Sequence, residues 1–146
     1  MTTLRIYGPP GEALPFDLRD FLQVLAPHSL SASWRVLAVG AGYRWFDATG
    51  PGGDILDQMA QAGEPVDGGA LHAAAQDTLQ VIWGEFSGFL PSAPHRTWVT
   101  IRAIDSTFYE VTTDDAAVVE RIETGFDDVR RFDAIWAADD GASAGA

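Results

Sequence analysis

The chain contains no cysteine and no lysine. The first absence excludes disulfides and thiolate metal sites. The second leaves all positive charge to nine basic residues, every one an arginine, against 21 acids. The formal net charge is −12 over 146 residues. A field of that sign repels nucleic acid and anionic membranes and attracts basic partners. Long apolar runs are missing too. The longest, Val36 to Ala41, is far too short to cross a bilayer, and Met1 to Tyr7 carries no apolar run of signal-peptide length. A soluble, cytoplasmic protein is expected, with neither nucleic acid nor membrane as partner.

Catalytic signatures are equally scarce. His28, His72 and His95 lie on three separate segments without metal-ligand spacing. They read as two loop histidines and one on the surface of a helix, so no metal and no cofactor is expected. Asp114-Asp115, Asp127-Asp128 and Asp139-Asp140 do not fit a calcium loop. No serine sits in Gly-x-Ser-x-Gly. Gly40-x-Gly42 and Gly50-Pro51-Gly52-Gly53 lack a phosphate-loop lysine and the full dinucleotide fingerprint.

What is present suffices for a core. Hydrophobic residues make up 47%, with five Trp, eight Phe and three Tyr, each ring able to remove roughly 150–250 Å² from water. The length suits one domain. We expect it over residues 1–136, with a small, acidic, flexible tail over 137–146.

Periodicity places the elements. Residues 4–7 alternate as a strand before the turn Gly8-Pro9-Pro10-Gly11. Helical spacing runs over 16–26 and again over 70–80. Residues 34–39 and 43–46 flank a glycine-containing loop as a hairpin. Thr49 to Gly53 reads as a loop, and 54–61 as a short helix with Ile55, Leu56 and Met59 inward. Residues 83–89, 98–104 and 108–112 form a three-stranded meander, turning at Asp105-Ser106-Thr107. A helix over 114–124 starts at Thr112 to Asp115, which have capping-box spacing. Residues 126–132 form a last strand or helical turn. The expected fold is α+β: a single domain with an antiparallel sheet of five or six strands and helices packed mainly on one face. Phe21, Leu25, Val36, Leu71, Leu79, Val99, Ile101, Val111, Val119 and Ile122 are the expected core.

Two sets of residues are candidate sites. Glu85, Arg102 and Glu110, with Thr100, share one sheet face if the meander pairs in register. They would form a ligand site, or the solvated face of a one-sided sheet with Glu–Arg pairs across strands. The acidic surplus lies further on. Asp105 to Asp140 holds eleven acids against three arginines, leaving −8. Asp114, Asp115, Glu120, Glu123, Asp127 and Asp128 would line one edge of the domain as a docking surface, or would serve solubility alone.

The stretch Gln80-Val81-Ile82-Trp83-Gly84-Glu85-Phe86, with Trp98-Val99-Thr100-Ile101-Arg102-Ala103-Ile104 and its continuation to Thr112, resembles small, largely uncharacterised bacterial proteins. Some of these sit beside toxin genes as immunity proteins. The resemblance covers about residues 70–130. It implies a non-enzymatic protein that neutralises a cognate toxin by covering its active site, and the acidic charge makes a basic toxin the expected partner. It assigns no functional residues. Two other classes remain open: a small-ligand or enzymatic domain using the polar sheet face or the Gly50–Gly53 loop, and an acidic anti-defence protein whose carboxylates mimic nucleic-acid phosphates.

Overall fold

A computed structural model of the chain describes residues 1–40 and 45–132. The expected tail over 137–146 and part of the 34–46 hairpin lie outside them. The elements run β1 (Thr2–Tyr7), α1 (Leu18–Val24), α2 (His28–Ser31), β2 (Ser33–Leu37), β3 (Asp47–Thr49), α3 (Pro51–Ala62) and β4 (Val66–Asp67). They continue with α4 (Gly68–Gln76), β5 (Gln80–Phe89), β6 (Val99–Ile104), β7 (Phe108–Thr113), α5 (Ala116–Gly125) and β8 (Asp128–Arg131).

The strands form one antiparallel sheet in the order β4-β2-β5-β6-β7-β1-β8, with β3 also paired to β5. The meander is β5-β6-β7, as its alternation predicts, and residues 126–132 do supply a last strand. Among the described residues eight strands form instead of five or six. The extra ones are β3 and β4, of three and two residues, too short to show a period of two.

Alternation splits the sheet into two faces. Leu4, Trp34, Val36, Phe86, Val99, Ile101, Tyr109 and Val111 are buried. They lie against the apolar stripes of the helices: Leu18, Phe21 and Leu22 on α1, Leu71, Ala74 and Ala75 on α4, and Val118, Val119 and Ile122 on α5. Arg5, Glu85, Arg102 and Glu110 alternate onto the opposite face. Helices on one face of an antiparallel sheet is the α+β arrangement expected.

Several local expectations are corrected. Leu79 is not core: it is 72% exposed. The helix over 70–80 ends at Gln76, where the Thr78 hydroxyl donates to the Ala74 carbonyl at 2.7 Å. That bond turns Thr78 inward and Leu79 outward, and Gln80 already belongs to β5. Ile55 is likewise 43% exposed, while Leu56 is buried.

The glycines at 50–53 are not a loop. Thr49 ends β3, Gly50 adopts φ +87°, and Pro51 opens α3. A Cβ on Gly52 would fall on the Ala74 carbonyl oxygen, and one on Gly53 would lie 2.6 Å from the Ala48 carbonyl oxygen. These glycines let α3 approach α4 and β3 closely.

Nor does β2 find its main partner in a hairpin. It pairs with β5, Trp34 opposite Gly88 and Val36 opposite Phe86. The hairpin is reduced, among the described residues, to a bridge between Val39 and Trp45. Finally, α5 is capped by Asp115 rather than Thr112, since Asp115 accepts from the Ala117 amide at 2.9 Å.

Candidate functional site

The acidic segment occupies α5, the turn after it and β8, the edge strand beside β1. Its six carboxylates do not behave alike. Asp115 is structural. One oxygen caps α5 and the other accepts from the Trp98 indole at 3.0 Å. Its amide donates to the Thr113 hydroxyl, which in turn donates to the Trp98 carbonyl at 2.6 Å. This cluster joins the start of β6 to the end of β7 and the start of α5.

Asp114 is held 3.1 Å from the amino group of Met1 and 3.7 Å from Arg96. The ammonium hydrogen bond and its charge hold the Asp114 carboxyl below the usual aspartate value. Glu123 accepts both forks of the Arg131 guanidinium at 2.9 Å, which lowers its pKa. Asp128 accepts both forks of Arg130 at 3.0 Å and is lowered in the same way. Planar guanidinium on carboxylate is the strong, orienting form of such a pair. Glu120 and Asp127 are exposed and have no hydrogen-bond or ion-pair partner among the described residues.

Two grooves flank α5. Asp114, Glu120, Glu123 and Arg131 line a shallow one of about 350 Å³ with Thr2 and Val119. A larger one, about 710 Å³, lies between α1 and the α5–β8 turn, where Asp127 and Asp128 face Asp20, Phe16 and Tyr7. The structure therefore distributes the six acids over two grooves and a cap, rather than along one continuous row.

The second candidate set is brought together as the register requires. Arg5, Glu110, Arg102 and Glu85 stand side by side across β1, β7, β6 and β5. Arg102 donates to Glu85 at 2.8 Å and to Glu110 at 3.2 Å, and Arg5 donates to Glu110 at 3.1 Å. Cross-strand pairs of alternating sign satisfy one another here. Thr100 bonds Ser87 at 3.0 Å in the next row. None of Glu85, Arg102 and Glu110 lines either groove.

A Ser–His contact escaped sequence reasoning. Buried Ser29 lies 2.9 Å from Nε2 of His72, which is half-buried rather than on the helix surface. The Ser29 hydroxyl donates its one hydrogen to the Leu22 carbonyl at 2.6 Å. His72 Nε2 must then carry a proton and donate to Ser29. A catalytic pair needs the reverse polarity, with the imidazole accepting from the hydroxyl. The contact ties α2 to α4. Forty-three residues separate the partners, and no local spacing signals it. Among the described residues, no group of three or more His, Asp or Glu is placed to hold a metal. No described helix is long and apolar enough to cross a membrane.

No protein-family model, curated protein or solved structure matches the chain.

The arginines complete the electrostatic picture. Eight are described, and each is engaged. Arg5, Arg96, Arg102, Arg130 and Arg131 hold carboxylates. Arg19, Arg35 and Arg121 donate to the carbonyls of Thr78, Gly63, and Val24 and Ala26. Among the described residues, five arginines are thus paired with carboxylates and three with carbonyls, while carboxylates such as Glu120 and Asp127 project to solvent.

Proposed function

We propose that this chain is a non-enzymatic acidic binding protein of the immunity type, which neutralises a basic toxin by direct contact in the cytoplasm. The observation that carries this reading is the disposition of charge. Every described arginine is spent on an internal contact, while Glu120 and Asp127 stand free beside grooves on either side of α5. A surface with that imbalance accelerates association with a basic partner and rejects acidic ones. The apolar stripe of α5 anchors the segment to the core, so docking there requires little reordering.

Two features weigh against the alternatives. The Glu85–Arg102–Glu110 row is mutually satisfied and leaves no converging free groups for a small ligand. A phosphate-mimicking surface would present free carboxylates at regular spacing, whereas Asp114, Asp115, Glu123 and Asp128 are bonded.

Co-expression with the product of the neighbouring gene tests the proposal. Protected growth, together with a complex whose association slows as salt rises, is expected. Neutralising Glu120, Glu123, Asp127 and Asp128 together should slow association and flatten its salt dependence. Unprotected cells and no complex would overturn it.

A further inference from the structure

We infer that the groove between α1 and the α5–β8 turn receives an arginine side chain of the partner, set beside an apolar one. This inference rests on the binding role proposed above and specifies its chemistry.

The floor is aromatic. Phe16 and Phe126 meet edge to face with centroids 5.2 Å apart, and Phe126 stacks on buried Phe21 at 4.4 Å. Val24 and Tyr7 extend that apolar surface. The rim is acidic: Asp20, Asp127 and Asp128 line it, Asp128 being held from outside by Arg130, and among the described residues no basic residue lines the groove. Asp127 is exposed and has no partner among the described residues. Asp20 gives one oxygen to the Asp17 amide at 2.7 Å, and its other oxygen accepts no bond among the described residues. Pro9, Pro10 and Pro15 stiffen the outer wall, which reduces the ordering that binding must impose. A volume near 710 Å³ lies within the usual range for ligand sites.

Guanidinium, rather than ammonium, suits this combination. The protein's own Arg130 illustrates the mode at the groove's edge. Its guanidinium lies 4.2 Å above the Tyr7 ring while both forks engage Asp128. A planar guanidinium can pair bidentately with a carboxylate while its face stacks on a ring, whereas an ammonium is a strongly hydrated point charge with neither the fork nor the flat face. Asp127 beside Phe126 offers the same two elements, carboxylate and aromatic ring, with no cation among the described residues upon them.

The test is a titration of the full-length, isotope-labelled chain with acetyl-Phe-Arg-amide, followed by amide NMR shifts. Saturable shifts at Tyr7, Phe16, Phe126 and Asp127 are expected. The citrulline analogue, neutral and isosteric, should bind about tenfold more weakly, as should the Asp127→Asn variant for the arginine peptide. Gln23 is exposed on the rim, so Gln23→Arg supplies a competing cation without disturbing the core, and it should abolish the shifts. Unmoved groove amides, or equal binding by the citrulline or lysine analogue, would overturn the inference. In the partner assay, Gln23→Arg associating as fast as wild type would remove the groove as the contact and leave the binding role standing. Failure of the wild type to associate at all would remove the role itself, whatever the peptide does.

Discussion

Tyr109 on β7 donates its hydroxyl to Oδ1 of Asp17, 2.9 Å away and 92 positions earlier in the chain. Tyr109 is fully buried and Asp17 is only 5% exposed. The same Oδ1 accepts from the Val81 amide at 3.0 Å, while Oδ2 has no partner among the described residues. One carboxylate thus ties the start of α1 to the middle of the sheet.

Removing the Tyr109 hydroxyl should expose how much that tie contributes. Tyr109→Phe keeps the ring against Phe21 and leaves a buried carboxylate with one donor fewer. A loss of roughly 1–3 kcal/mol is expected in denaturant unfolding. A change below about 0.5 kcal/mol would mean that the hydrogen bond contributes little net stability.

The same carboxyl makes stability depend on pH. Burial raises the Asp17 pKa above the ordinary 3.8, and this outweighs the hydrogen bonds from Val81 and Tyr109 and the charge of Arg19. A raised folded value means that the native state binds the proton more tightly. The stabilisation is fully present below 3.8 and is lost as pH rises through the folded value. Relative to Asp17→Asn, the wild type should therefore lose stability as pH increases across that window. A relative gain would reverse the assigned cause, with hydrogen bonding exceeding desolvation.

His72 should act in the opposite direction. Burial lowers its pKa below 6.5, so the folded state resists protonation. Stability present above 6.5 is lost as pH falls through that value towards the lowered one. His72→Gln, which retains a donor for Ser29, should flatten this acid limb in unfolding curves. An unchanged limb would assign it to other groups.

Ile101 and Leu79 test the core boundary. Ile101→Ala should cost roughly 2–5 kcal/mol, as for a filled core site. Leu79→Ala, at the exposed turn before β5, should stay within about 0.5 kcal/mol. Gly52→Ala belongs with the first, because its methyl would meet the Ala74 carbonyl. Overpacking there should cost roughly 1–3 kcal/mol. A neutral Gly52→Ala would show that α3 and α4 can separate freely.

Asp115 and Glu120 separate structural from binding carboxylates. Asp115→Ala removes a helix cap and the acceptor of Trp98, so a loss of roughly 0.5–2 kcal/mol is expected. Glu120→Gln should leave stability within about 0.5 kcal/mol and slow association with a basic partner. Thermal or denaturant unfolding beside association kinetics reads both. The opposite pattern would interchange their roles.

Local periodicity by itself determined the meander, the existence of α1, α3, α4 and α5, the α+β class and nine of the ten expected core positions. Alternation at Val99, Ile101 and Val111 reports burial because a strand turns one face inward. Composition determined the acidic excess and its concentration near α5. Tertiary structure decided what depends on distant partners. Spacing put Leu79 on the inner stripe, and the Thr78 bond to the Ala74 carbonyl turned Thr78 inward in its place. Gly50 to Gly53 carried ordinary loop chemistry until α4 and β3 packed against them. Asp114, Asp115, Glu123 and Asp128 were indistinguishable from Glu120 and Asp127 as acids in a row. Their partners, from Met1 to Arg131, are placed by the sheet register and the entry to α5. Charge is counted along the chain, but whether a carboxylate is free is a property of three-dimensional neighbours.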